Sequence, residues 1–126
     1  MENGKWKIMK ENVIADKSFS FAVRIVKLYQ KICREKKEYV LSKQLLKSGT
    51  SIGANVSEAL QGQSKRDFHM KMNIALKEAS ETKYWLRLLH ETELLSDQEY
   101  QTEFSSCVEL EKILTAIVRT TSEKTE

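Results

Sequence analysis

His69 and His90 are the first residues to test for chemistry, because helical chains often carry metal between clustered ligands. A di-iron or di-manganese site needs Glu-x-x-His on two helices plus two more inward carboxylates. Arg66 and Arg87 stand three residues before the two histidines, so the motif fails twice. A lone histidine on a helix reads as a surface or boundary residue, and no metal site is expected. Cys33 and Cys107 are too few and too far apart for a disulfide framework or a zinc site. Both fall on apolar faces, where a free thiol behaves as a small hydrophobe. No catalytic residue and no cofactor is assigned.

The run Lys47-Ser48-Gly49-Thr50-Ser51-Ile52-Gly53 looks at first like a phosphate loop. It lacks the Gly-Lys-Ser/Thr order, and no strand precedes it. Its other reading is steric: Gly49 and Gly53 strip side-chain bulk from one stretch of helix, so another helix can approach closely. Asn55 and Glu58 lie nearly one turn apart at the border of this surface, and Glu81 sits further along. Paired carboxylates can do acid–base work. With no nucleophile, metal ligand or phosphate cradle nearby, hydrogen-bonded structural groups are the favoured reading.

The strongest physical signal is a basic stripe. No acidic residue occurs between Lys17 and Arg34. Lys17, Arg24, Lys27, Lys31 and Arg34 fall on about 100° of helical arc, read as opposite the apolar face. Lys43 and Lys47 extend the charge into the next segment. One-sided positive charge is the footprint of an RNA or DNA binder. The other reading is a solvated lysine-rich face, or one paired with the acidic residues Asp97, Glu99, Glu103 and Glu109. No aromatics interleave with the stripe, so sequence-specific reading of single strands is not expected.

These residues must be positioned by a chain of 126 residues, 40% apolar and 31% charged. That length suits one domain. Zero prolines and four glycines exclude collagenous and low-complexity classes and argue against a many-stranded sandwich. No apolar run approaches the roughly 20 residues that span a bilayer. The start, MENGKWKIMKEN, has no apolar core of a signal peptide, and a cytoplasmic protein is expected. Residues 1–47 carry 12 Lys/Arg against 5 Asp/Glu, a net of +7; residues 48–126 carry 9 against 13, a net of −4.

Helical periodicity divides the chain into four segments. The first is predicted over 16–35, capped by Asp16, with Phe21, Ile25, Leu28 and Ile32 on its stripe. The second, 38–61, keeps Leu41, Leu45, Ser48, Ile52, Val56 and Ala59 in phase across the glycine-rich middle, so one unbroken helix ending before Gly62 is predicted. The third starts at Ser64, near a capping box with Asp67, and carries Phe68, Met72, Ala75, Ala79, Thr82, Leu86 and Leu89. The fourth starts with the capping box Ser96-Asp97-Gln98-Glu99. Its seam, Tyr100, Phe104, Cys107, Leu114 and Val118, is interrupted by Glu111, which suggests a core face turned toward Val108. Short links force antiparallel neighbours, so the expected architecture is an all-α, up-down-up-down antiparallel four-helix bundle. Residues 1–15 read as an N-terminal arm that Trp6, Ile8 and Met9 could anchor, 16–119 as the bundle, and 120–126 as a frayed end.

SGTSIGANVSEA at 48–59, SKRDF at 64–68 and ALKEASETKYWLRLL at 75–89 closely resemble the bacterial four-helix-bundle proteins related to those encoded in 23S rRNA intervening sequences. The tight match covers about half the chain. The resemblance implies a bundle that assembles as a ring, a homopentamer, and does not imply an enzyme. The motif residues that match are Ser51, Ile52, Asn55, Glu58, Ser64, Phe68 and Glu81, read as structural. Gly49, Gly53 and Trp85 join them as structural or interface residues, since Tyr84 and Trp85 exceed what a monomeric bundle needs to bury. A related accessory protein of diversity-generating retroelements binds nucleic acid and a reverse transcriptase. RNA, DNA and a nucleic-acid enzyme are therefore possible partners by resemblance.

Overall fold

A computed structural model describes residues 2–125, with side chains described over 11–122. Four helices follow one another: α1 (Glu2–Lys36), α2 (Leu41–Leu60), α3 (Lys65–Glu91) and α4 (Asp97–Thr125). Each packs against the next and α4 closes back on α1, while among the described residues the backbones of the diagonal pairs stay apart. The order is that of the expected up-down-up-down bundle, and it follows from three short turns.

The first helix starts earlier than its sequence suggests. Asp16 lies inside α1 and caps nothing, and the helix continues through the stretch expected as an arm. Ile14 explains part of this, since it is wholly buried in the core. An apolar anchor two residues before Asp16 rewards continuing the helix. Trp6, Ile8 and Met9 lie outside the described side chains. At the other end α4 runs on to Thr125.

The second helix crosses the glycine-rich stretch without a break. Gly49 and Gly53 face α1. A methyl group added at Gly49 would stand 2.9 Å from Ile25 Cγ2, and one at Gly53 would stand 3.2 Å from the Ser18 carbonyl oxygen. The poor helix propensity of this stretch is offset by close packing of α1 on α2.

The caps show how the turns are set. Ser64 Oγ accepts from the Asp67 amide at 3.0 Å. Ser96 and Glu99 make the reciprocal box, Glu99 N–H to Ser96 Oγ at 3.1 Å and Ser96 N–H to Glu99 Oε1 at 2.9 Å. The start of α2 is capped by Glu38, a device its sequence does not announce. Glu38 Oε2 accepts from the amides of Val40 and Leu41, and Oε1 from that of Ser42, all within 2.9 Å. Two helices end on a left-handed residue that is not glycine, Lys37 (φ 55°) after α1 and Glu93 (φ 65°) after α3. Glu93 completes a Schellman turn, with its own amide on the His90 carbonyl and the Leu94 amide on that of Leu89. Gly62, beyond α2, keeps a negative φ.

The core follows the predicted seams. Phe21, Ile25, Ile32, Leu45, Ile52, Val56, Met72, Leu86 and Leu114 are all buried, while Phe68 is half-buried at the core's edge. The fourth helix is the exception. Its core face runs through Cys107, Leu110, Leu114 and Ile117, and Val108 is only half-buried. The face is turned away from Val108, because Glu111 is satisfied at the α3 boundary rather than displaced. Lys83 Nζ lies 2.8 Å from Glu111 Oε1, and Ser80 Oγ donates to Oε2 at 2.8 Å. Buried hydroxyls are satisfied locally, as when Thr82 donates to the Glu78 carbonyl at 2.7 Å. Among the described residues no buried side-chain polar atom lacks a partner.

Candidate interaction surfaces

The basic stripe on α1 does not stand clear of the bundle. It lies along the seam where α1 meets α4, and the acidic residues of α4 answer it. Lys17 Nζ is 3.2 Å from Glu109 Oε1, Arg24 Nε is 3.1 and 3.3 Å from the two Glu103 oxygens, and Lys31 Nζ is 2.7 Å from Glu99 Oε2. The expectation that these cations lie opposite the apolar face is therefore corrected for all three. A helical wheel gives direction around an axis but not what fills that direction, and a polar neighbour looks like water in the pattern. Glu103 is the most committed of the acids, only 8% exposed. The Arg24 guanidinium also lies over the Phe21 ring, 5.8 Å from its centroid. Burial by itself would raise the Glu99 carboxyl, but Lys31 and the Ser96 amide hold it below the usual carboxylate range. Lys31 rises in turn, through its hydrogen bond to Glu99.

The remaining cations of the stripe are different. Lys27, Arg34, Lys43 and Lys47 are exposed and make no ion pair among the described residues. Lys36 and Lys37, in the α1–α2 turn, are exposed as well. The free positive charge is thus concentrated on the C-terminal half of α1, the turn and the first half of α2.

The polar motif residues of α2 and α3 do not converge on a reaction centre. Asn55 Nδ2 donates to the Ser51 carbonyl at 2.8 Å, on its own helix. Glu58 is 3.3 Å from Lys71 Nζ. Glu81 accepts from Trp85 Nε1 at 3.0 Å, and Tyr84 meets the Trp85 ring edge-on at 5.0 Å. Each is engaged one turn away or across the α2–α3 boundary, which is a structural arrangement. Ile52 is fully buried and Ser64 is the α3 cap, while Gly49 and Gly53 pack inside the bundle. The two glycines therefore contribute to the α1–α2 contact and do not provide an outer surface for another copy.

The histidines are occupied too. His69 Nδ1 lies 2.7 Å from Thr121 Oγ1. His90 Nε2 lies 2.7 Å from Asp97 Oδ1, and its ring stacks on Tyr100 at 4.3 Å. Cys107 Sγ donates to the Ala79 carbonyl at 3.2 Å, and burial pushes its thiol up to about 12. Such a thiol is a poor nucleophile at neutral pH. Among the described residues no group of three or more His, Cys, Asp and Glu side chains is arranged to hold a metal. An open cleft of about 370 Å³ lies between the end of α1 and the α3–α4 turn; its walls carry both signs of charge, including Lys31, Lys36, Glu35, Glu93, Asp97 and Glu99.

Large apolar side chains stand out in water on three helices and one turn, with Tyr39 53% and Val40 72% exposed between α1 and α2 and Leu60 39% at the end of α2. On α1, Phe19 is 70% exposed and Val23 38%; on α3, Met70 is 51%, Ile74 39% and Tyr84 58% exposed. Of these residues the sequence singled out only Tyr84, read with Trp85 as more than a monomeric bundle needs to bury.

Among the described residues no helix is long and apolar enough to cross a membrane. No curated protein matches the chain. A crystal structure of a protein of unknown function from the S23 ribosomal protein family of Bacteroides thetaiotaomicron is similar, with 54% sequence identity and a TM-score of 0.85. The match covers 87% of this chain and 98% of that one. Residues 10–116 match the family described as 23S rRNA-intervening sequence protein, a span that takes in most of all four helices and every polar motif residue named above, and to that family the chain belongs.

Proposed function

We propose that this protein is a non-catalytic, self-associating interaction module, and that assembly rather than chemistry is its working property. The carrying observation is the set of large apolar side chains left in water on α1 and α3, with Phe19 70% and Tyr84 58% exposed. Contiguous exposed apolar surface costs solubility and marks contacts. The helices that carry it are otherwise well packed and well capped, so poor folding does not explain it. The assembly is a ring, of five copies if the family resemblance extends that far. Light scattering of the purified chain at tens of micromolar tests this, with an oligomer mass expected. A mass of 14.6 kDa, that of one chain, would end it.

A second reading, RNA or DNA binding, is supported by one observation. Lys27, Arg34, Lys43 and Lys47 remain exposed and outside any ion pair among the described residues, with Lys36 and Lys37 beside them. A ring would repeat that surface, so phosphate contacts would add up and binding would be weakly sequence-specific and steep in salt. The three cations tied to α4 carboxylates count against it, because their charge is already answered within the chain. A titration with generic RNA at two salt concentrations separates the readings. Affinity that falls steeply with salt supports the second, and absence of binding leaves the first alone.

A further inference from the structure

Among the described residues, two bare strips lie on helices whose backbones stay apart. In the bundle α1 and α3 are diagonal to one another, so their outer faces look in opposite directions. Phe19, Val23 and Lys27 follow at steps of four along α1, and all three are exposed. Met70, Ile74 and Glu78 follow at the same steps along α3, with Glu81 three residues on. Steps of four keep side chains on one helical face. Each strip is therefore apolar, apolar, charged, in the same order, and the charges have opposite sign.

We propose that the α1 strip of one copy seats on the α3 strip of the next, as a head-to-tail contact between unlike faces; this rests on the self-association reading above. Diagonal helices of an up-down-up-down bundle run in the same direction. Rotation about an axis along the bundle preserves that direction, so α1 of one copy meets α3 of its neighbour in parallel. Phe19 over Met70 and Val23 over Ile74 then carry Lys27 to Glu78, with the Glu81 carboxylate one turn further. Arg34, in no ion pair among the described residues, falls beside Trp85 and Leu88.

A twofold contact of α1 on α1 about an axis along the bundle would set Lys27 and Arg34 against copies of themselves, with no acid between Lys17 and Arg34 to offset them. On α3 the need is the reverse. Glu78 is held above the usual carboxylate range, first by partial burial and then by the charge of Glu81, with Lys47 offsetting only part of it. A cation delivered by a neighbouring copy answers that repulsion. Unlike faces meeting head to tail add copy after copy, as a ring where the rotation closes and as a filament where it does not, whereas a twofold contact stops at a dimer.

The test uses the full chain carrying Lys27→Glu, Glu78→Lys, or both, with mass followed by light scattering across concentrations. Circular dichroism checks that helix content is kept. Each single reversal is expected to weaken association by about tenfold or more, since it places like charges together. The double variant is expected to recover it, because the charges are exchanged rather than lost. Mixing the two single variants should also yield mixed oligomers. If the parent chain is oligomeric and the single reversals leave its mass unchanged, other faces join the copies and this pairing is overturned while self-association stands. The same holds if the double variant fails to recover. A parent chain that is monomeric throughout sinks both.

Discussion

At Gly49 the contact between two helices comes down to one missing methyl. Its absence lets Ile25, wholly buried, lie against the backbone of α2. Alanine is worth about 1 kcal/mol over glycine in a helix interior. Here its methyl would meet Ile25 Cγ2 at 2.9 Å and Cγ1 at 3.1 Å, both on a branched side chain with no free end to swing aside. Overpacking of this kind costs about 1–3 kcal/mol. Gly49→Ala is therefore expected to lose stability by about 1 kcal/mol net in urea unfolding, and Ile25→Val should relieve part of the loss in the double variant. A gain in the single variant would show that α1 and α2 can separate cheaply. The sequence marks Gly49 and Gly53 as sites of close approach, and the structure agrees. It does not say which helix approaches, since small residues look the same to an internal partner and to another copy.

At the scale of the helix, the ends carry what periodicity does not. Ser64 and Ser96 were legible as caps because a short hydroxyl before an apolar run, with Asp or Glu three residues on, has one local use. Glu38 was not, since its carboxylate reaches forward over two residues from outside the helix it caps. Burial alone would raise that carboxyl. The amides of Leu41, Ser42 and Val40 outweigh burial and hold it below the usual range. A group lowered on folding stabilises the fold at pH values above its unfolded value, and the benefit fades as pH falls through the folded value. Glu38→Gln should therefore cost about 1 kcal/mol at pH 7, the ordinary cost of a lost cap. The gap between parent and variant should narrow as pH falls below about 4, through the lowered folded value at which Glu38 takes up its proton. Thermal unfolding at pH 7 and pH 3 checks this; an equal gap at both would mean that charge is not what Glu38 contributes. The first helix shows the opposite failure. Asp16 has the right type for a cap, yet Ile14 before it is buried, and a core contact outweighs a local preference.

At the scale of the molecule, four in-phase seams and three short turns were enough to read the bundle and most of its core. The surfaces were read less well, because periodicity on one helix cannot distinguish solvent from a polar neighbour. The α1 stripe met α4 through Lys17, Arg24 and Lys31, while Lys27 and Arg34 stayed free. The same limit concealed the α3 strip, where Met70 and Ile74 stand bare beside the seam.

That ion-paired seam also bears on the order of events as the chain folds. It joins the first helix to the last, with partners 92 residues apart at Lys17 and Glu109, and among the described residues it is the sparsest of the four helix contacts. The α2–α3 hairpin is the densest contact and closes over a turn of four residues. Closing a long loop costs more entropy than closing a short one, and charged pairs return little until both helices are placed. The central hairpin should therefore form in the transition state, and the seam should zip after it. In stopped-flow unfolding and refolding, Arg24→Ala is expected to speed unfolding and leave the refolding rate nearly unchanged, while Met72→Ala slows refolding. If Arg24→Ala slows refolding as much as Met72→Ala, the seam closes early. The last contact to close is also the first to open, so the bundle should part first between its first and last helices, while α1 stays held on α2 through Gly49 and Ile25.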